Sequence, residues 1–404
     1  MAQLAIDGGS RLFPENFGFE LWPPVRPETA ERLKELYLSH KWSFYGQEEL
    51  KFASDFARYH DAAFGTFMVN GTVTLECALS ALGIGPGDEV IVPSWTWMAT
   101  GMAAVHVGAT PVFADGEKDT FCLDPEAFEA AITPRTRAVI PVHLFGSTAD
   151  LDRIVAIARR HDIKVIEDCA HAHGGKWNGK GVGSFGDIGS FSFQQSKIMT
   201  AGEGGECITS DETLFDRIGR LSHIGYQLAA QRGKPSTPPP ENLFCRNYRA
   251  TEFQAVILAD QLAHLAEESR FRAANADYLH RELAEIPGIG TQKPGRCATV
   301  QSYYVFGITV DPAMLKPGRT KADVIAALNA EGAVELFAGW GASTFRQKLW
   351  NVSPDRYRVA SSAVVEEIIA NRIILLDIRW LMAERPVLER LVEAFHKVMK
   401  EYGK

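Results

Sequence analysis

Between about residues 65 and 210, short apolar runs alternate with stretches of helical periodicity. Thr66-Phe67-Met68-Val69 reads as a strand feeding a helix through Leu75 and Leu79. The turn Gly85-Pro86-Gly87-Asp88 leads into a second strand, Glu89 to Val92, and Pro111 to Ala114 and Arg137 to Val142 follow. Leu151, Ile154, Val155 and Ala158 carry the stripe of an amphipathic helix, and Lys164-Val165-Ile166 is again a strand. This alternation predicts an α/β fold, with a mostly parallel central sheet flanked by helices on both faces. From Ala250 a long helical pattern takes over, with Ala255, Leu258, Ala259, Leu262, Leu265 and Ala266 on one face. It leads to a smaller C-terminal α/β unit with strands at Tyr303 to Val310 and Ile373 to Leu376. Leu388, Leu391, Val392, Phe395, Val398 and Met399 form the apolar stripe of a closing helix. The expected division is an N-terminal segment and large domain over residues 1–270, and a small domain over 271–404.

The composition, 46% apolar and 23% charged over 404 residues, is that of an ordinary globular chain. A net charge of −8, with no block of like charges, argues against nucleic-acid or membrane-surface binding. The cysteines (Cys77, Cys122, Cys169, Cys207, Cys245, Cys297) are scattered, with no C-x-x-C pair and no histidine at metal spacing. Reduced thiols, a cytoplasmic location and no metal are expected. Met1 to Phe13 lacks the basic-then-apolar build of a signal peptide. Ile91 to Ala114 holds no Asp, Glu, Lys or Arg, enough residues to span a bilayer. Pro93, Gly101, Gly108 and Pro111 punctuate it, so it reads as strand end, buried helix, turn and strand. The loop Gly233 to Pro240 has low-complexity character and is expected to be mobile.

The richest chemical signal is Phe191-Ser192-Phe193-Gln194-Gln195-Ser196-Lys197, followed by Gly202-Glu203-Gly204-Gly205. A lysine at the end of a buried strand is poorly solvated, and its amine becomes available to form a Schiff base. Most strand-end lysines are simply solvated, so the assignment depends on other parts of a pyridoxal phosphate (PLP) site. Asp168, just beyond the strand Lys164 to Ile166, suits the pyridine nitrogen; a helix N-cap is the competing reading. Asn70-Gly71-Thr72, between a strand and a helix, suits a phosphate, with an N-cap again the alternative. Ser192 offers a further hydroxyl. Trp95 and Trp97 offer an indole to stack on the ring, against ordinary core packing for either. Gly181-Val182-Gly183-Ser184-Phe185-Gly186 matches the dinucleotide fingerprint, but a polar stretch precedes it and a strand follows. That context fails the motif. The acceptor patterns at Asn70 and Asn351 carry no weight for glycosylation without a secretion signal.

These motifs occur in one order with Pro93 to Thr100, Pro141 to Gly146, Glu167 to Gly174 and Asn247-Tyr248-Arg249 with Glu252. Together they resemble the DegT/DnrJ/StrS family of PLP-dependent aminotransferases, over roughly Lys41 to Gln261 and weakly beyond. The resemblance implies a transferase of fold type I, a homodimer with an active site at each subunit junction. It implies Lys197 as the Schiff-base and proton-transfer lysine, Asp168 on the pyridinium nitrogen, and Trp97 stacked on the ring. His171 falls beside the pyridine ring, and Gly71, Thr72 and Ser192 hold the phosphate, with Asn247 reaching it from the neighbouring subunit. The implied reaction is ping-pong, from glutamine or glutamate to a ketone.

Phe193 to Lys197, Pro141 to Gly146 and His171-Ala172-His173 look more like the cyclitol branch of the family, which serves antibiotic pathways. That branch includes the scyllo-inosose aminotransferases and the aminohydroxybenzoate synthases. Its members tend to carry a His-His pair where this chain has Asp377-Ile378-Arg379. Tyr45, Gln194, Tyr303 and Arg379 are the substrate-side candidates, Arg379 against an ordinary surface role. The expected activity is amination of a keto-cyclitol or keto-sugar. The alternatives are an aromatising dehydratase of the aminohydroxybenzoate type, a nucleotide-keto-sugar aminotransferase and, more remotely, a PLP sensor without turnover.

Overall fold

The computed structural model describes residues 3–44, 46–228 and 236–404. Two sequence expectations therefore fall at least partly outside the described residues: Tyr45, and the first half of the loop Gly233 to Pro240. The large sheet runs Phe64–Met68, Gly205–Thr209, Ile188–Ser192, Lys164–Asp168, Thr136–Val139, Glu89–Pro93, Thr110–Ala114, Arg358–Val359. Gly205–Thr209 alone runs against its neighbours. Every other pairing in the sheet is parallel. Helices on both faces bury the sheet, and so Glu89–Pro93 is buried at every position. The uncharged stretch from Ile91 folds as strand end, the helix Ala99–His106, and the strand Thr110–Ala114. No described helix is long and apolar enough to cross a membrane.

The C-terminal unit is an antiparallel sheet in the order Ile289–Thr291, Val305–Val310, Ile373–Asp377, Leu336–Phe337. The helix Glu252–Ala284 leads to it, entered by a capping box in which Thr251 and Gln254 satisfy each other's backbone ends. The closing helix Arg385–Tyr402 buries Leu388, Leu391, Phe395 and Val398 against Leu376 and Trp380 in one apolar cluster. The expected boundary at residue 270 lies inside the helix Glu252–Ala284. Two segments also cross between the halves: Leu4 and Phe13 join the C-terminal cluster, and Arg358–Val359 edges the large sheet.

Three local readings change. The strand before Lys197 stops at Ser192, so the lysine stands in a turn beyond the strand. The strand expected over Arg137 to Val142 ends at Val139, with Pro141 unable to donate to a ladder. Asp168 is the last residue of its own strand, and no helix follows for it to cap.

The glycine-rich decoy also has a structural purpose. Its turn wraps the carboxylate of buried Glu167, which accepts from the N–H groups of Gly183 (2.8 Å), Phe185 (2.7 Å) and Gly186 (2.8 Å). His143 Nε2 adds a fourth contact at 3.2 Å, while its Nδ1 accepts from Ala149 N–H, which fixes the proton on Nε2. Burial pushes the Glu167 carboxyl up, yet His143 and the backbone N–H groups outweigh it and hold the group below its ordinary value. Because the folded-state value is the lower one, this stabilisation is present above the ordinary carboxylate range and fades as pH falls through the folded value. Glu167→Ala is expected to destabilise the fold on the order of 3 kcal/mol and to weaken the acid dependence of its unfolding. Denaturant unfolding of both proteins at pH 7 and pH 4 checks this.

Candidate active site

The ends of the strands Phe64–Met68, Glu89–Pro93, Lys164–Asp168 and Ile188–Ser192 meet at one edge of the sheet. Ligand sites of open α/β sheets form at that edge. Here it borders a cavity of about 490 Å³.

At one end of the cavity the helix Gly71–Ala81 begins. Asn70 caps it, accepting from the N–H groups of Thr72 (3.1 Å) and Val73 (3.0 Å). Both readings of Asn70-Gly71-Thr72 thus hold, because Asn70 supplies the cap while Gly71 and Thr72 line the cavity beside Ser192. A Cβ on Gly71 would lie 2.6 Å from the Ser192 Cβ, so only glycine lets the helix start approach the strand end. Hydroxyls of Thr72 and Ser192 beside a helix N-terminus make a cradle suited to a phosphate.

At the other end stands Asp168. Its Oδ2 accepts from the Thr100 hydroxyl (2.8 Å), which in turn contacts the Thr96 hydroxyl (2.9 Å), and its Oδ1 accepts from Ala170 N–H (3.2 Å). Burial raises the Asp168 carboxyl, and the Thr100 bond, the Ala170 bond and the charge of Lys197 only partly counter it. Among the described residues Asp168 makes no ion pair. A protonated ring nitrogen would supply the missing positive charge. The cavity therefore fits PLP at both ends.

Lys197 lies between them. Its loop is closed by Phe193 N–H to Gly204 O (2.8 Å) and Ala201 N–H to Phe193 O (3.1 Å), and the Trp22 indole N–H holds the Lys197 carbonyl (3.0 Å). Desolvation lowers the Lys197 amine to about 8, against the pull of Asp168. At that value about a tenth of the amine is neutral at pH 7. Its Nζ stands 4.6 Å from the centre of the Tyr304 ring.

Of the two indoles, Trp97 lines the cavity, while Trp95 is fully buried against Phe121 and Phe145. His171 also lines it, stacked on Tyr304 with ring centres 4.2 Å apart. Its Nδ1 accepts from Phe145 N–H, and burial and Lys197 hold the ring well below its ordinary value, hence neutral. Gln194 lines the cavity with its carbonyl oxygen accepting from Ser196 N–H (2.9 Å) and Ser196 Oγ (2.8 Å).

Three candidates lie elsewhere. Tyr303 adopts a left-handed backbone (φ 54°) and packs in the C-terminal apolar cluster. Its neighbour Tyr304 takes the place at the cavity. Arg379 pairs with Asp377 (2.6 Å) and Glu335 (3.1 Å), so its charge is used within the C-terminal unit. Asn247 is exposed and outside this chain's own cavity, beside Tyr248 in a bridge to His223. Thr100, Tyr304 and Trp340 line the cavity and were not assigned from the sequence. Thr100 had a usable signal, standing one turn beyond Thr96 at the start of the helix Ala99–His106.

A poorly solvated lysine, a buried carboxylate and a phosphate cradle on this sheet, with a small C-terminal unit over it, define a PLP-dependent enzyme of fold type I. The chain belongs to the DegT/DnrJ/EryC1/StrS aminotransferase family, which it matches over residues 24–395, and it is an aminotransferase. It is 39% identical, over 82% of its length and 78% of the relative's, to L-glutamine:2-deoxy-scyllo-inosose aminotransferase of Streptomyces kanamyceticus. The enzyme of the same designation from Micromonospora echinospora is 34% identical, with 100% of this chain and 99% of the relative aligned. The crystal structure of 3-amino-5-hydroxybenzoic acid synthase superposes with a TM-score of 0.82 at 31% identity, covering 95% of this chain and 99% of that one.

Capture of PLP by the apoenzyme, followed by absorbance, is expected to quicken with pH and level off above about 8, the lowered Lys197 value. A lysine at the ordinary 10.5 would still be gaining there. Thr100→Val removes a bond that favours ionised Asp168, and is expected to weaken PLP binding by about 1.5–3 kcal/mol, measured as the cofactor Kd.

Proposed function

We propose that this enzyme moves the amino group of L-glutamine to a ring ketone of the scyllo-inosose type by a ping-pong mechanism, in the making of an aminocyclitol for secondary metabolism. The observation that carries the acceptor class is the charge of the cavity wall. Among the described residues lining it, Lys197 is the sole Lys or Arg, beside the carboxyl groups of Asp168 and Glu203, and His171 is neutral. A nucleotide-linked sugar brings a diphosphate that calls for basic partners. A polyol ring needs only neutral donors and acceptors, such as Gln194, Ser196 and Tyr304. The designations of the relatives support the same choice and support glutamine as donor.

In this reading Gly71, Thr72 and Ser192 hold the phosphate of PLP, Asp168 keeps the ring nitrogen protonated, and Trp97 and His171 flank the ring. PLP supplies a carbonyl and an electron-withdrawing ring. Lys197 Nζ, neutral often enough near pH 7, binds that carbonyl at rest and carries the proton at the substrate carbon during transfer. Neutral His171 puts no positive charge beside the ring nitrogen that Asp168 keeps protonated. The reading includes a homodimer in which the exposed Asn247 of one copy completes the phosphate site of the other. It also keeps the large-sheet part as the cofactor-bearing part and the C-terminal unit as the part that covers it, with the helix Glu252–Ala284 spanning the expected boundary at residue 270.

Glutamine alone is expected to bleach the cofactor colour of the holoenzyme, and adding 2-deoxy-scyllo-inosose to restore it with release of an aminocyclitol. Lys197→Ala is expected to lower turnover on the order of 10³-fold. A holoenzyme indifferent to glutamine, or one preferring a nucleotide-linked keto-sugar, would overturn the reading. An aromatic product in place of an aminocyclitol would move the chain to the synthase type.

A further inference from the structure

Trp340 comes from the C-terminal half of the chain, yet it stands over the cofactor cavity. Its loop joins the strand Leu336–Phe337 to the short helix Thr344–Arg346. Gly339 (φ 68°) and Gly341 (φ 76°) flank it, both in the left-handed region, so the chain turns sharply on each side of the indole. The far end of the loop is tied to the large domain. Thr344 donates its N–H to Ser94 O (2.8 Å) and its hydroxyl to Thr96 O (2.9 Å), while accepting from Thr96 N–H (3.0 Å). The indole is thereby held among the aromatic walls, 5.6 Å from the Phe145 ring, 5.9 Å from Trp97 and 6.1 Å from His171. Among the described residues its N–H donates to no protein group and, on a half-buried side chain, stays accessible to solvent or ligand.

We infer that Trp340 is the acceptor-recognition residue: its face takes the C–H face of a saturated polyol ring, and its N–H takes one ring hydroxyl. This rests on the reading of the acceptor as a ring ketone without a nucleotide. A cyclitol presents two chemistries, a face of weakly positive C–H groups and a rim of hydroxyls. The negative face of an indole matches the first. An indole N–H without a protein partner, with Gln194 and Ser196 in the lining of the same cavity, matches the second. Glutamine is an open chain with no such ring face, so the indole favours the acceptor over the donor although both use the same cavity. The fixed loop adds to the effect, because a wall already in place loses little freedom when the ring arrives.

The test compares wild type, W340F and W340A as holoenzymes, with kcat/KM measured for 2-deoxy-scyllo-inosose and for glutamine. W340A is expected to lose at least about tenfold more kcat/KM for the ring ketone than for glutamine. W340F keeps a face but not the N–H, and is expected to lose about threefold more. Equal losses for the two substrates, or none, would overturn the inference while leaving the proposed function standing. A wild type that bleaches with glutamine but never turns over the ring ketone would overturn the proposed function and this inference with it. Where W340A fails to hold PLP, W340F decides alone, and an unchanged ratio counts against the inference. The change in tryptophan emission on adding the unreactive myo-inositol gives a second readout, expected in wild type and diminished in W340F, where Trp97 remains in the cavity; an undiminished change in W340F would count against the role.

Discussion

Lys197 and Asp168 share one desolvated cavity, and the rest of the site depends on how they constrain each other. Burial drives each toward its neutral form, the amine down to about 8 and the carboxyl up, while each charge pulls the other back. Neither extreme would serve. A fully charged lysine is no nucleophile, and a protonated Asp168 cannot hold a cationic ring nitrogen. The Thr96–Thr100 hydroxyl chain and the Ala170 N–H bias the balance toward ionised Asp168. On the lysine side the loop is pinned from three directions, by Gly204, Phe193 and Trp22. Trp22 lies far from the site in sequence, but a salt bridge from nearby Arg26 to Asp260 and Glu268 fastens its segment to the long helix.

The strand carrying Asp168 is held by chemistry on its other side. Successive residues of a strand face opposite ways, so Glu167 points away from the cavity while Asp168 points into it. Glu167 binds three N–H groups of the glycine-rich turn and His143. That turn resembles a dinucleotide fingerprint because it too gathers backbone N–H groups around an anion. Here the anion is an internal carboxylate, and the glycines serve the fold rather than a ligand.

Positions at the cavity that follow from local sequence were legible. Asp168, Thr72, Ser192 and Trp97 sit at or just past strand ends, where apolar runs give way to polar residues. The motif placed Lys197 at the cavity even though its strand ended earlier than its apolar run, since a run of buried residues continues through Phe193 in an irregular segment. The substrate side was much less legible. Tyr303 and Tyr304 are adjacent and chemically alike, and the left-handed turn at Tyr303 that sends the first inward and the second to the cavity leaves no compositional mark. Arg379 looked available for an anion until its partners Asp377 and Glu335, one local and one distant, absorbed its charge. Trp340 had only its flanking glycines as a signal, and those mark a turn without saying what the turn faces.

This asymmetry has a physical origin. The cofactor side is built on strand ends and one helix start of a sheet buried on both faces, so its geometry is set by regular hydrogen bonding and close packing. The wall opposite is built from two excursions of the C-terminal unit, the turn at Tyr304 and the loop at Trp340. Loops of this kind accept changes of side chain without disturbing a core. Asp168 and Ser192 cannot change without the cost being felt by the sheet that holds them, whereas position 340 stands in a loop and is tied to the site by ring contacts with Trp97, Phe145 and His171. The strand-end lining and the aromatic wall opposite it thus come from different parts of one chain, and the Thr344 bonds to Ser94 and Thr96 are what bring the second into register with the first.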